Sequence, residues 1–160
     1  MSFESLTEQQ PDTVSLSAFG HVFAEFFSQL RTSCKSLNEI QGKLFSVGQQ
    51  VGVRFLELGM ARHNPGKRFT DPVSILKFVS KPLWTDMFGH PAKLASVSNS
   101  INYYIQDANP ITDKYFSSRT SHSYIAGILQ GIMENAGFPC TVETRITETG
   151  DAVFLVLFKK

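Results

Sequence analysis

The stretch YIAGILQGIMENAGFPC, Tyr124 to Cys140, carries the most architectural information in the chain. Its apolar residues recur at helical spacing, and the glycines at 127 and 131 lie one turn apart on one face. Gly137 stands where a helix C-terminus wants a left-handed residue, and Pro139 just beyond it prevents continuation. The spacing therefore predicts a helix from Ser121 or His122 to Asn135, with Ser121 as its cap, thinned by Gly127 and Gly131 to lie close against a sheet or another helix. Cys140 could be a nucleophile, a lipid attachment point or an inert residue. A reactive thiol needs a cationic or helix-N-terminal setting. Cys140 instead follows a helix C-terminus and enters an apolar strand, so it reads as a buried strand residue.

Nearer the N-terminus, a helix is expected from about Val14 to Cys34, with Phe19, Val22, Phe23, Phe26, Phe27 and Leu30 on one broad face. A longer one follows from about Leu37 to Ala61, striped by Leu37, Ile40, Leu44, Val47, Val51, Phe55 and Leu58. A second stripe on it, Phe45, Gly48, Gly52 and Gly59, is mostly small. Each interior glycine costs about 1 kcal/mol relative to alanine. The offset expected is a second backbone running close along that stripe. The two helices suggest an αα-hairpin with faces to spare.

Asp71 and Pro72 supply a cap and a first-turn proline for a third helix carrying Val73, Leu76, Val79, Leu83, Trp84 and Met87. Pro82 falls inside it and predicts a kink or a break, and Gly89 and Pro91 end it. Strands are expected at about Ala92–Ser98 and Ile101–Asp107, then an irregular stretch from Asn109 to Ser121. After the glycine-bearing helix the chain closes as a hairpin, Phe138 to Ile146 and AVFLVLF (152–158), turning at Glu148–Asp151. Helices with an antiparallel sheet of four strands make an α+β domain over residues 14–160, preceded by a flexible lead-in over 1–13.

Composition narrows the function. Of 160 residues, 42% are hydrophobic and only 18% charged, a balance that favours a partner covering part of the apolar surface. The net charge of +1, with scattered lysines and arginines, gives no footprint for nucleic acid. Two cysteines make no disulfide framework, the polar start lacks signal-peptide features, and no apolar run is long enough to span a membrane. A reducing, cytoplasmic setting is expected.

Constellations for catalysis are missing. There is no G-x-S-x-G, phosphate loop or dinucleotide fingerprint. His21, His63, His90 and His122 never take the spacing of a helical metal pair. His21 reads as satisfied or partly exposed, and the other three as solvated loop residues. Glu25 and Glu57 read as polar helix faces, Cys34 as semi-buried, and Trp84 as core or interface. No catalytic residue, metal or cofactor is expected.

Four stretches, VGQQVGVRFLELGMAR, KRFTDPVSILKFVSKPLWTDMFGHPAKL, INYYIQDANPITDKYF and YIAGILQGIMENAGFPCTV, run in order from Val47 to Val142. Together they resemble the small Bet-three-like subunits of the transport protein particle (TRAPP), a vesicle-tethering complex that also activates a Rab GTPase. Trp84–Leu94, Tyr103–Ile105 and Gly137–Pro139 bring the resemblance closest to the class numbered subunit 5. Gly59, Pro82 and Cys140 depart from the family's pattern. The resemblance implies the Bet-three-like α+β fold, with an N-terminal αα-hairpin and further helices on a four-stranded antiparallel sheet. It also implies a non-catalytic scaffold in ER-to-Golgi transport, peripheral at the cis-Golgi and endoplasmic reticulum through its complex. The implied partner is a Bet-three subunit, joined through the two N-terminal helices. A sedlin-like subunit and, through the assembled core, a Rab GTPase are further candidates. Phe19, Phe23, Phe26, Leu30, Leu37, Leu44 and Val51 are expected to divide between the core and a heterodimer seam. The acylated cysteine of the Bet-three subunit aligns with Arg68, which cannot carry a thioester. The alternative is a module binding a lipid or small molecule in an internal hydrophobic pocket.

Overall fold

A computed structural model describes residues 14–64, 66–116 and 119–159; the expected lead-in over 1–13 lies outside the described residues. The elements run α1 (Leu16–Ser33), α2 (Leu37–His63), α3 (Pro72–Phe78), α4 (Trp84–Phe88), β1 (Lys93–Ser96), β2 (Tyr103–Asp107), α5 (His122–Asn135), β3 (Cys140–Ile146) and β4 (Ala152–Phe158). All sheet pairings are antiparallel, in the order β1-β2-β4-β3. The α+β expectation holds.

Local chemistry sets the boundaries. Ser15, Ser36 and Asp71 accept from the backbone N–H groups of Ala18, Glu39 and Ser74, capping α1, α2 and α3. Glu39 reaches back to the Lys35 N–H at 2.9 Å, and that bond holds its carboxyl below the ordinary value. At the end of α5, Gly137 takes φ 88°, the Phe138 N–H donates to Met133 and the Gly137 N–H to Glu134, a Schellman closure. At the other end Ser121 makes no side-chain capping bond, contrary to expectation. A 3-10 turn, Arg119–Ser121, runs straight into the helix, so Ser121 already has helical backbone angles. A second such turn, Ile111–Lys114, lies in the stretch expected to be irregular.

Pro82 interrupts its α-helix as expected, but through a π turn. Residues Val79–Leu83 form a π turn joining α3 to α4. The Trp84 N–H passes over the Ser80 carbonyl and bonds Val79 and Lys81, which frees Ser80 to accept from Ala92 at 2.8 Å. The widened turn thus gives the Ala92 N–H, just before β1, a partner at the α3–α4 junction.

The core lies between the helices and the inner face of the sheet, where Ile105, Ala152, Phe154, Val156, Cys140 and Val142 are buried. A second cluster joins Phe23, Phe27 and Leu30 of α1 to Ile40 and Leu44 of α2. The long α2 is buried along Ile40, Leu44, Gly48, Gly52, Leu56 and Gly59. The core-facing line is therefore largely the small stripe. The expected apolar stripe is buried only at Ile40 and Leu44, and its ends at Leu37 and Leu58 are exposed. The reason is the close approach of α5. A Cβ added to Gly48 would overlap the Tyr124 carbonyl, and one on Gly127 the Phe45 carbonyl. Gly52 and Ile128, and Gly131 and Gln49, repeat the relation one turn along. Gly59 instead makes room for the Leu83 and Phe78 side chains.

Candidate docking site

The histidines differ most from expectation. His63 Nε2 lies 2.7 Å from Asp86 Oδ2, His90 Nε2 2.8 Å from Asp107 Oδ1, and His122 Nε2 2.6 Å from Asp113 Oδ1. None of the three is simply solvated, and His122 is buried, with its ring against Phe154. Asp107 is also buried, and its second oxygen accepts from the Trp84 indole N–H at 3.0 Å. These pairs tie α2 to α4, α4 to β2, and the 3-10 turn to α5. Pairing of this kind satisfies buried polar groups; it aims no group at an open cleft. Sequence spacing could not show it, because Trp84 and Asp107 are 23 residues apart.

His21 is exposed, as are Glu25 and Glu57, which bond Gln29 and Arg54 on their own helices. Among the described residues no cluster of three histidine, cysteine or carboxylate side chains is placed for a metal. Cys34 is partly buried. Cys140 is fully buried, and desolvation, with Glu134 nearby, pushes its thiol up to about 12. At that value the nucleophilic thiolate is negligible. Arg68 is exposed in the loop after α2.

The surface offers a different kind of site. Past Leu44, the apolar stripe of α2 runs out from under α1 into an open trough of about 630 Å³ lined by Val47, Gln50, Val51, Arg54, Phe55 and Leu58. Val53 also borders it. Leu58 is 43% exposed. On α1, Val22 is 72% exposed, between the partly buried Phe19 and Phe26 one turn to either side. The seam candidates separate accordingly. Phe23, Leu30 and Leu44 are buried within the chain, while Phe19, Phe26 and Val51 are partly exposed and Leu37 is open. Unpaired apolar side chains along two adjoining helices favour association. Among the described residues, the trough has chemistry for little else: one guanidinium, Arg54, already paired with Glu57 at 3.0 Å, and one amide, Gln50.

A family model described as "Transport protein particle (TRAPP) component" matches residues 19–159. The chain belongs to the TRAPP component family. It is 32% identical to trafficking protein particle complex subunit 5 of Gallus gallus, over 81% of this chain and 73% of that protein. Subunit 5 of Dictyostelium discoideum is 31% identical, over 81% of this chain and 74% of its own length. Subunit 31 of Saccharomyces cerevisiae is 24% identical over 91% of this chain and 76% of its own. Among solved structures, a subunit 3 of Naegleria fowleri covalently bound to palmitic acid superposes with a TM-score of 0.75. It covers 91% of this chain and 95% of that one. At 16% identity that likeness shows the shared TRAPP-subunit fold. No described helix of this TRAPP-family chain is long and apolar enough to cross a membrane.

Proposed function

We propose that this chain is a non-catalytic scaffold of a TRAPP assembly, pairing with a Bet-three-type subunit through the α2 trough and the outer stripe of α1. The observation that carries the reading is the uncovered half of the α2 stripe, an apolar trough from Val47 to Leu58, with Val22 of the neighbouring α1 also exposed. A stable contact of this type buries roughly 800 Å² per partner, and two adjoining helix faces are large enough to supply it. Membership of the family supplies the class of partner. The assembled complex would act in ER-to-Golgi vesicle tethering and Rab nucleotide exchange, with the chain cytoplasmic and peripheral at those membranes. A sedlin-like subunit would occupy a different surface.

The lipid-binding alternative finds less support. Arg68 offers no thiol for acylation, and the backbone contact of α2 with α5 leaves no width between those helices for a methylene chain. Co-expression with the Bet-three subunit of the same genome tests the pairing. A single one-to-one species on size exclusion with light scattering supports it, and two separately eluting species overturn it.

A further inference from the structure

Tyr115 stands on the segment between β2 and α5, 99 residues from the α1 carbonyl it touches. Its hydroxyl donates to the Leu16 carbonyl at 2.6 Å. Its ring lies over Gly20, where an added Cβ would overlap Cε1 and Cζ. Next to it, Phe116 takes Phe23 and Phe27 in ring contacts with centroids 5.3 and 4.9 Å apart. The first turns of α1 are therefore committed to residues 115–116. α1 and α2 meet mainly through side chains, whereas α2 and α5 lie backbone to backbone. One face of α2 between Val47 and Leu58 stays open, lined by α2 side chains, while Gly48, Gly52 and Leu56 on the other face are buried.

We propose that Tyr115, seated on Gly20, is a positioning residue that sets the stance of α1 and thereby keeps the α2 trough open for the partner subunit. This rests on the docking reading above. Gly20 is otherwise hard to explain, since an interior helical glycine costs about 1 kcal/mol and here serves only to admit the ring. Buried on its inner face and anchored at its start, α1 holds Val22 exposed between Phe19 and Phe26, which pack against the inner cluster. If the clasp is lost, the competent arrangement becomes one of several. The apparent dissociation constant then rises as the competent fraction falls, about tenfold for a fraction of about one tenth.

Two readouts on the full chain test this. Spin labels at Ser17→Cys and Ala61→Cys, in a Cys34→Ser background, report the α1–α2 distance in the free protein by double electron–electron resonance. A narrow distribution that broadens or shifts in Tyr115→Ala and in Gly20→Ala is expected. Titration with the Bet-three subunit should then show about a tenfold loss for each variant. The double variant should be no weaker than either single one, because alanine at 115 makes room for the new Cβ. Tyr115→Phe, which keeps the ring, should lose only a few-fold. An unchanged distance distribution in Tyr115→Ala overturns the clasp. A broadened distribution with unchanged affinity overturns its role in docking. A wild-type chain that does not bind the Bet-three subunit contradicts the pairing itself, and the spin-label distances still decide the clasp.

Discussion

Gly48 of α2 and Gly127 of α5 face each other so closely that neither has room for a Cβ. One built on Gly48 would lie within 3.1 Å of the Gly127 Cα and overlap the Tyr124 carbonyl; one on Gly127 would overlap the carbonyl of Phe45. Gly52 and Gly131 extend the contact, so two helix backbones run together without side chains between them. The conformational cost of four helical glycines, about 1 kcal/mol each, is offset by this contact and by the burial of Ile125, Ile128 and Ile132 around it.

Gly127→Ala should cost about 3 kcal/mol or more, because its Cβ meets backbone that cannot rotate away. Gly42→Ala, on the open face of α2 with no atom of the described residues within 4 Å of the added one, should instead stabilise by roughly 0.5–1 kcal/mol. Urea unfolding of both variants checks the pair. Equal effects would show that α2 and α5 are not in backbone contact.

The chain's single tryptophan makes the buried Asp107 directly observable. Asp107→Ala leaves the Trp84 indole N–H buried without its acceptor and deprives His90 of its carboxylate. A loss of about 3 kcal/mol is expected in fluorescence-detected unfolding. Asp107→Asn, which still offers the indole an oxygen, should lose less. A loss below about 1 kcal/mol for the alanine variant would remove the network as a structural tie.

Cys140 should resist iodoacetamide at about pH 8, where roughly one thiol in ten thousand would be ionised. Cys34, partly exposed, should be the site modified in the native protein, with Cys140 following only in denaturant. Peptide mass spectrometry separates the two. Native-state alkylation at Cys140 would contradict its burial.

Asp71 gives a pH dependence of known sign. The side-chain and backbone bonds from Ser74 hold its carboxyl below the ordinary 3.8. A depressed folded value means its stabilisation is present above 3.8 and is lost as pH falls through the lower folded value. The melting-temperature gap between wild type and Asp71→Ala should therefore be full at neutral pH and close in acid. A gap independent of pH would show that the cap does not depend on the carboxylate.

Much of this was legible in the sequence because the signals are local. Asp71-Pro72, Gly137-Pro139 and the period of α2 each act within a few residues, and the small stripe of α2 by itself implies a neighbouring backbone. The histidine pairs were not legible, since each depends on two segments brought together by the sheet. The π turn at Pro82 is not legible for a related reason: the carbonyl it frees finds its donor, Ala92, only through the tertiary path. At the candidate site, spacing could say that α1 and α2 hold too many apolar residues for one core. It could not say that α1 shields Ile40 and Leu44 but leaves a face of α2 from Val47 to Leu58 open, because that division depends on how α1 seats on α2 and on Tyr115, which bonds Leu16 from 99 residues away.

Calorimetric titration of Leu58→Glu against the Bet-three subunit tests the docking face most directly. Leu58 lines the trough and is already 43% exposed, so a charge there should shift the melting temperature by no more than about 2 °C. The dissociation constant should rise at least about tenfold relative to wild type, because the new carboxylate would be buried against apolar side chains. Wild-type affinity in a folded Leu58→Glu chain would mean that the partner binds elsewhere.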